Sequence, residues 1–212
     1  MIGDIAHVCN RGIEKRKVFL DRNDYSRFAE NLYFLNNKNG KLITDRKNVF
    51  QMPSLLPGQD KLVEIFKWVL LPNHYHLLLY EVMDGGISEF TRRVGNAYTK
   101  YFNIKNEGRS GYLFQNSAKI VRLQEDQHYL YIPFYIDLNL IDLCNPKIKD
   151  DDKFFDFMLD YQWSSFRNYY GESDYLPIIN RNLFYESFNH SPDSYKKELL
   201  DMACRGVGAR GI

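Results

Sequence analysis

From Asp4 to Cys9 apolar and polar residues alternate, as in a strand with one buried face, and Asn10-Arg11-Gly12 ends the run. Between Asp21 and about Asn36 the period lengthens. Phe28, Leu32 and Phe34-Leu35 form a stripe behind the capping candidates Asp21 and Asn23, which predicts a helix. Residues 37–60, with Asn-Asn-Lys-Asn-Gly, Pro53, Pro57 and Gly58, read as a loop or an irregular insertion. Lys61–Leu71 and His74–Glu81 are two β-rich runs parted by Pro72-Asn73. They predict a hairpin, and their leucine content also suits strands buried on both faces. After Gly85-Gly86, the residues Ile87, Phe90, Val94, Ala97, Tyr98 and Tyr101 recur at helical spacing as far as Asn103, with Ser88 as the N-cap. Residues 109–114 read as a loop and Ala118–Leu123 as a short strand. A last helix runs from about Glu125 to Leu143, interrupted or restarted at Pro133.

The order β-α-β-β-α-β-α predicts an α+β fold, a ferredoxin-like sandwich with an antiparallel sheet and its helices on one face. Beyond Asn145-Pro146 the composition shifts, residues 147–174 holding seven acidic against four basic side chains. The chain therefore divides into a domain over residues 1–146 and a C-terminal extension over 147–212 packed on it, frayed from Cys204 to Ile212.

Composition narrows the function classes. With 44% hydrophobic and 26% charged residues in 212, wholesale disorder is excluded. No run approaches the roughly 20 apolar residues of a bilayer span, and Met1–Asp4 lacks the basic start of a leader, so neither a membrane nor a secretory role is expected. Cys9, Cys144 and Cys204 are odd in number and widely spaced. They predict neither a disulfide framework nor a zinc ribbon, and point to a reducing, cytoplasmic setting.

A net charge of +1 conceals an uneven distribution. Between Thr91 and Arg122 stand Arg92, Arg93, Lys100, Lys105, Arg109, Lys119 and Arg122 against the single acid Glu107. Arg11, Lys15, Arg16 and Lys17 form a second cluster beside the first strand. Such runs are either solvated faces or grips for phosphates. Likewise an aromatic content of 16% serves either a heavy core or stacking of unpaired bases, with Tyr98, Tyr101, Tyr112 and Phe114 lying among the basic residues.

The sharpest local signal is Leu70-Leu-Pro-Asn-His74-Tyr-His76-Leu-Leu-Leu79. On a strand, positions i and i+2 share a face, so His74 and His76 project together and make half of a divalent-metal site, or simply a polar strand face. On the last helix Tyr135 and Asn139 stand at i and i+4, one above the other. There an amide oxygen offers a hard ligand beside a phenol able to attack a metal-bound phosphate, although with 16 tyrosines any one is structural by default.

The histidine segment resembles the HUH motif of single-tyrosine transposases, more narrowly their REP-associated tyrosine transposase branch. The likeness extends over about 170 residues. His7-Val-Cys-Asn-Arg-Gly12, Phe19 and Asp24-Tyr25 are similar to the opening strand and first helix of that family. Tyr98-Thr-Lys-Tyr-Phe-Asn103 and Gly111-Tyr-Leu-Phe-Gln115 resemble its second helix and following loop, Tyr135–Asn139 its tyrosine segment, and Trp163-Ser-Ser165 with Tyr169 and Gly171 its closing motif.

The resemblance implies a metal-dependent endonuclease and strand transferase on single-stranded DNA with hairpin elements, working as a monomer or a homodimer. It implies His74, His76 and Asn139 as ligands of magnesium or manganese, and Tyr135 as the nucleophile forming a 5′-phosphotyrosine. The basic candidates Arg11, Lys15, Arg16, Lys17, Arg92, Arg93, Lys100, Arg109, Lys119 and Arg122 are then the DNA-binding surface. Two departures stand out: Leu140 replaces the usual proline, which alters the helix exit, and Asp137 replaces a basic or aromatic residue, with a modest effect expected on DNA contacts. A catalytically inactive hairpin-binding protein and a phosphodiesterase that uses water are the alternatives; a replication initiator or relaxase fits the flanking motifs less well.

Overall fold

The computed structural model describes residues 1–38, 60–124, 127–143, 151–171 and 178–204. Four strands, β1 (Ile5–Arg11), β2 (Val63–Leu71), β3 (His74–Glu81) and β4 (Lys119–Arg122), form one antiparallel sheet in the order β2-β3-β1-β4. Helix α1 (Arg22–Phe34) links β1 to β2, and α2 (Gly86–Lys105) links β3 to β4. This is the split β-α-β arrangement, and the α+β class expected from the sequence is the one observed.

β2 and β3 do form a hairpin, buried on both faces, and that second burial corrects the expectation that helices cover one face. Ala6, Val8, Trp68, Leu70, Tyr75, Leu77 and Leu79 point to α1 and α2, where Phe28, Leu32, Phe90 and Tyr98 meet them. Ile5, Phe66, Val69, Leu71 and Leu78 point the other way, against α3 (Gln127–Leu138) and α4 (Asp151–Asp160), α5 (Phe166–Tyr170), α6 (Arg181–Phe188) and α7 (Pro192–Cys204). An irregularity in pairing between Ile65 and Lys67 puts Phe66 and Lys67 both on the α3 side. Strands this apolar on both sides need two covers.

The segment around α5 also seals the outer edge of β2. Leu70 N donates to Trp163 O at 2.9 Å, Ser165 N to Trp68 O at 2.8 Å and Asn180 N to Ile65 O at 2.9 Å. Tyr161 and Tyr169 hydroxyls donate to Leu70 O and Phe66 O, each at 2.6 Å. An exposed row of strand amides is thereby closed.

Asp21 caps α1 as expected, accepting from Asp24 N at 3.2 Å. α2 differs. Its N-cap is Gly85 at φ +72°, three residues before the expected Ser88, and the helix runs from Gly86 to Lys105. Left-handed backbone at that corner favours glycine over serine. Pro133 lies inside α3, and after Leu138 the chain tightens into a 3₁₀ turn, Asn139–Leu143, which contains Leu140. The expected start of that helix at residues 125–126, most of the 37–60 insertion, the boundary at 146 and the end beyond Cys204 lie outside the described residues. Among those described, no helix is long and apolar enough to cross a membrane.

Candidate metal centre and active site

β1 and β3 are direct neighbours, and their register sets Cys9 opposite His76 and Arg11 opposite His74. Period-two geometry then sends His7, Cys9 and Arg11, with His74 and His76, to the face that α3 covers. The rings of His74 and His76 lie 5.1 Å apart at 81°.

Each of these imidazoles has its Nδ1 engaged. His74 Nδ1 is 2.6 Å from Asn73 Oδ1, and His76 Nδ1 is 2.8 Å from His7 Nε2. The amide oxygen only accepts, so the His74 proton sits on Nδ1 and the Nε2 lone pair is kept. The same tautomer at His76, donating to His7, leaves a lone pair on Nε2, which is buried with no hydrogen-bond partner among the described residues. A buried acceptor left over in this way, with its ring oriented from behind, is what a metal ligand requires. Burial, with Arg11 nearby, lowers His74 to about 4; burial and the charges of His7, His74 and Arg11 hold His76 well below the ordinary histidine value. Both rings are therefore neutral at pH 7.

α3 delivers the phenol. Tyr135, 8% exposed, meets the rings of His76 and His7 edge-on, with centroids 5.5 and 5.7 Å away, and Tyr131 follows one turn before it at 6.1 Å. Asn139 is buried, and its Nδ2 donates to Tyr135 O at 2.7 Å, so Oδ1 is the side-chain atom that could serve as a ligand. Burial raises the Tyr135 hydroxyl above the ordinary tyrosine value, while a hydrogen bond from the Asn139 side chain and the charge of Arg11 act the other way.

His7 and Cys9 are additions to the predicted set. Among the described residues, His7, Cys9 and His76 offer ligand atoms that all lie within 4.8 Å of one another. Burial raises the Cys9 thiol, against the pull of Lys119 and Arg11, so it is protonated at neutral pH and is a poor ligand. The group brought together among the described residues holds His7 and His76 but not His74, and imidazole nitrogens suit a borderline divalent ion. His7-x-Cys9 on a predicted strand has the same i, i+2 signature as His74-x-His76 and is the signal that finds them.

Asp137 does not reach a DNA surface. Its Oδ2 is 2.6 Å from Lys67 Nζ and accepts from Tyr195 Oη at 2.9 Å, with the lysine 0% and the aspartate 2% exposed. The ammonium also lies over the rings of Tyr169, Tyr195 and Phe184 at 4.2, 4.3 and 4.9 Å. α3 is thus tied to β2, α5, α6 and α7 two residues from Tyr135.

The basic candidates separate into two groups. Arg11, Lys15, Lys17, Lys100 and Lys119 are exposed, and Arg11 and Lys119 flank Cys9. Arg92 and Arg93 share Glu89 at 2.8 and 2.6 Å; Arg122 pairs with Asp4 and Glu81, and Arg16 with Glu14 at 3.5 Å. Arg109 binds Asn103 Oδ1 and Tyr112 O.

No family model matches the chain, and no curated protein does. Among solved structures, it is similar to a REP-associated tyrosine transposase bound to a REP hairpin, with 17% identity, a TM-score of 0.48 and 78% of each chain covered.

Proposed function

We propose that this protein is a metal-dependent endonuclease and strand transferase of the HUH single-tyrosine type, acting on single-stranded DNA. The observation that carries this reading is the pairing at the centre of the sheet. Two neutral imidazoles have both Nδ1 atoms engaged and one Nε2 orphaned, and a phenol from α3 of the same chain stands edge-on to one of them. A strand face of ordinary polar histidines has no need of that orientation.

A divalent ion held by His74 Nε2, His76 Nε2 and Asn139 Oδ1 would supply Lewis-acid stabilisation of a phosphodiester. Tyr135 Oη attacks phosphorus while the bond from phosphorus to the 3′ oxygen breaks. The phenol gives up its proton, the 3′ oxygen gains one, and the products are a 5′-phosphotyrosine and a 3′-hydroxyl. Attack by another 3′-hydroxyl reverses the step and joins strands. A tyrosine raised by burial is protonated at rest; the Asn139 amide and Arg11 favour the phenolate that must form, and Arg11 and Lys119 lie where the phosphate backbone would approach.

The test uses single-stranded DNA from either side of the gene, folded where inverted repeats allow and labelled at its 3′ end. With manganese, wild-type protein retains the label through a denaturing gel, and Tyr135→Phe does not. Cleavage without a retained label would favour the water-using phosphodiesterase, and binding without cleavage the inactive hairpin binder.

A further inference from the structure

On the face of the sheet opposite the histidines lies a groove of about 800 Å³, between α2, the 112–118 segment and the inner side of β4. Asn10, Thr91, Asn96, Gln115 and Asn116 contribute to its walls. The side-chain amides of Asn96, Gln115 and Asn116 are exposed and have no protein hydrogen-bond partner among the described residues. Each offers a donor and an acceptor, the complement of the edge of an unpaired base.

Two further features look built rather than incidental. Tyr112 stands at the rim, 85% exposed, on a backbone that is fastened in place. Arg109 Nη2 donates to Tyr112 O at 3.0 Å, Arg109 Nε to Asn103 Oδ1 at 3.0 Å, and Asn103 Nδ2 to Gly111 O at 2.9 Å. A solvent-facing ring carried on an anchored backbone offers a stacking platform. Gly95 lines the groove from the middle of α2, where glycine weakens a helix. No packing demands it, because a Cβ built there meets nothing within 4 Å. What the glycine does preserve is open space in the groove.

We propose that this groove receives an unpaired nucleobase, stacked on Tyr112 and read by the amides of Asn96, Gln115 and Asn116. The proposal rests on the single-stranded-DNA reading above and adds a base-binding subsite to it. The geometry joins the two sites. β4 is four residues long, with Ile120 lining the groove and Lys119 on the other side, opposite Cys9. A strand crossing β4 can therefore leave a base on one face and bring a phosphate to the other.

The probes are fluorescent ten-nucleotide strands of dA, dC, dT and mixed sequence, together with a strand of the same length whose nucleotides are abasic, each titrated at one fixed salt concentration. Wild-type protein should bind at least one base-bearing strand about tenfold or more tightly than the abasic one, the range expected for a stacked base. Gly95→Leu should fill the groove and remove that preference without lowering Tm, since leucine is the better helix former. Tyr112→Ala, at an exposed position that the fold does not need, should lose most of it too, so the test survives if the leucine variant fails to fold. Equal binding of abasic and base-bearing strands by wild type, or an unchanged preference in folded Gly95→Leu or in Tyr112→Ala, overturns the groove while leaving the Tyr135 adduct intact. Wild-type protein that binds no strand and forms no adduct overturns both readings.

Discussion

Lys67 Nζ and Asp137 Oδ2 are 2.6 Å apart where both side chains are buried, and the contact spans seventy residues of chain to bind the sheet to the helix that carries Tyr135. A buried ion pair of this kind gives little net stability over apolar residues, yet breaking it strands a charge. Lys67→Met alone should cost about 3–5 kcal/mol of unfolding free energy, and Lys67→Met with Asp137→Leu should recover more than half of it. Urea denaturation of the three proteins measures both. A double variant no more stable than the single one would mean that the ammonium is not what holds the aspartate.

His7 orients His76 through the 2.8 Å contact between Nε2 and Nδ1. Removing an outer partner of a ligating histidine typically weakens metal binding 10–100-fold. His7→Phe should show that loss for manganese in calorimetry, while Cys9→Ser, at a protonated thiol, should leave the affinity close to that of the wild type.

Acid should destabilise the metal-free protein well above the range of its carboxylates. His74 is depressed from 6.5 to about 4, and His76 and His190 are also lowered, chiefly by burial. The unfolded chain therefore binds more protons than the folded one below pH 6.5. Stability present above that value is lost progressively as pH falls towards 4. In EDTA, the urea midpoint should drop between pH 7 and pH 5, and His74→Gln should flatten that slope. A midpoint independent of pH across this window would contradict the buried, neutral state of these rings.

Binding of single-stranded DNA should weaken with salt, and the exposed cations should account for most of the slope. Arg11→Gln and Lys119→Gln should each reduce the slope of log affinity against log salt by about 0.7, the single-strand value for one phosphate. Arg92→Gln and Arg93→Gln should reduce it less, because each already shares the Glu89 carboxylate. Equal effects at all four positions would show that Glu89 lets go when DNA arrives.

Period was enough to find the sheet. His74 and His76 lie on one face because strands repeat every two residues, and α2 follows from Phe90, Val94 and Tyr98. The second apolar face of β2 and β3 was equally visible in their leucines, but what covers it comes from helices whose periodicity is weak. Distance along the chain hid the rest. Nothing near Lys67 in sequence marks it as buried, since its partners Asp137, Tyr169 and Tyr195 come from elements folded back from far downstream. Read on its own helix, Asp137 suggests only a modest effect on DNA contacts, because the cation that pairs with it, Lys67, lies on β2. His7 and Cys9 carried a legible spacing, yet only the β1–β3 register turns that spacing into neighbours of His76. Ser88 failed as a cap because the left-handed corner at Gly85 starts the helix earlier.

β1 and β3 are the inner pair of the sheet, flanked by β4 on one side and by the sealed β2 on the other. Amides in such strands exchange with solvent only when the whole structure opens. The imidazoles therefore ride on strands paired on both sides, and their spacing survives fraying at either margin. Deuterium uptake at His74–Leu79 should track global unfolding, so that the ligand geometry is lost all at once rather than loosened by degrees.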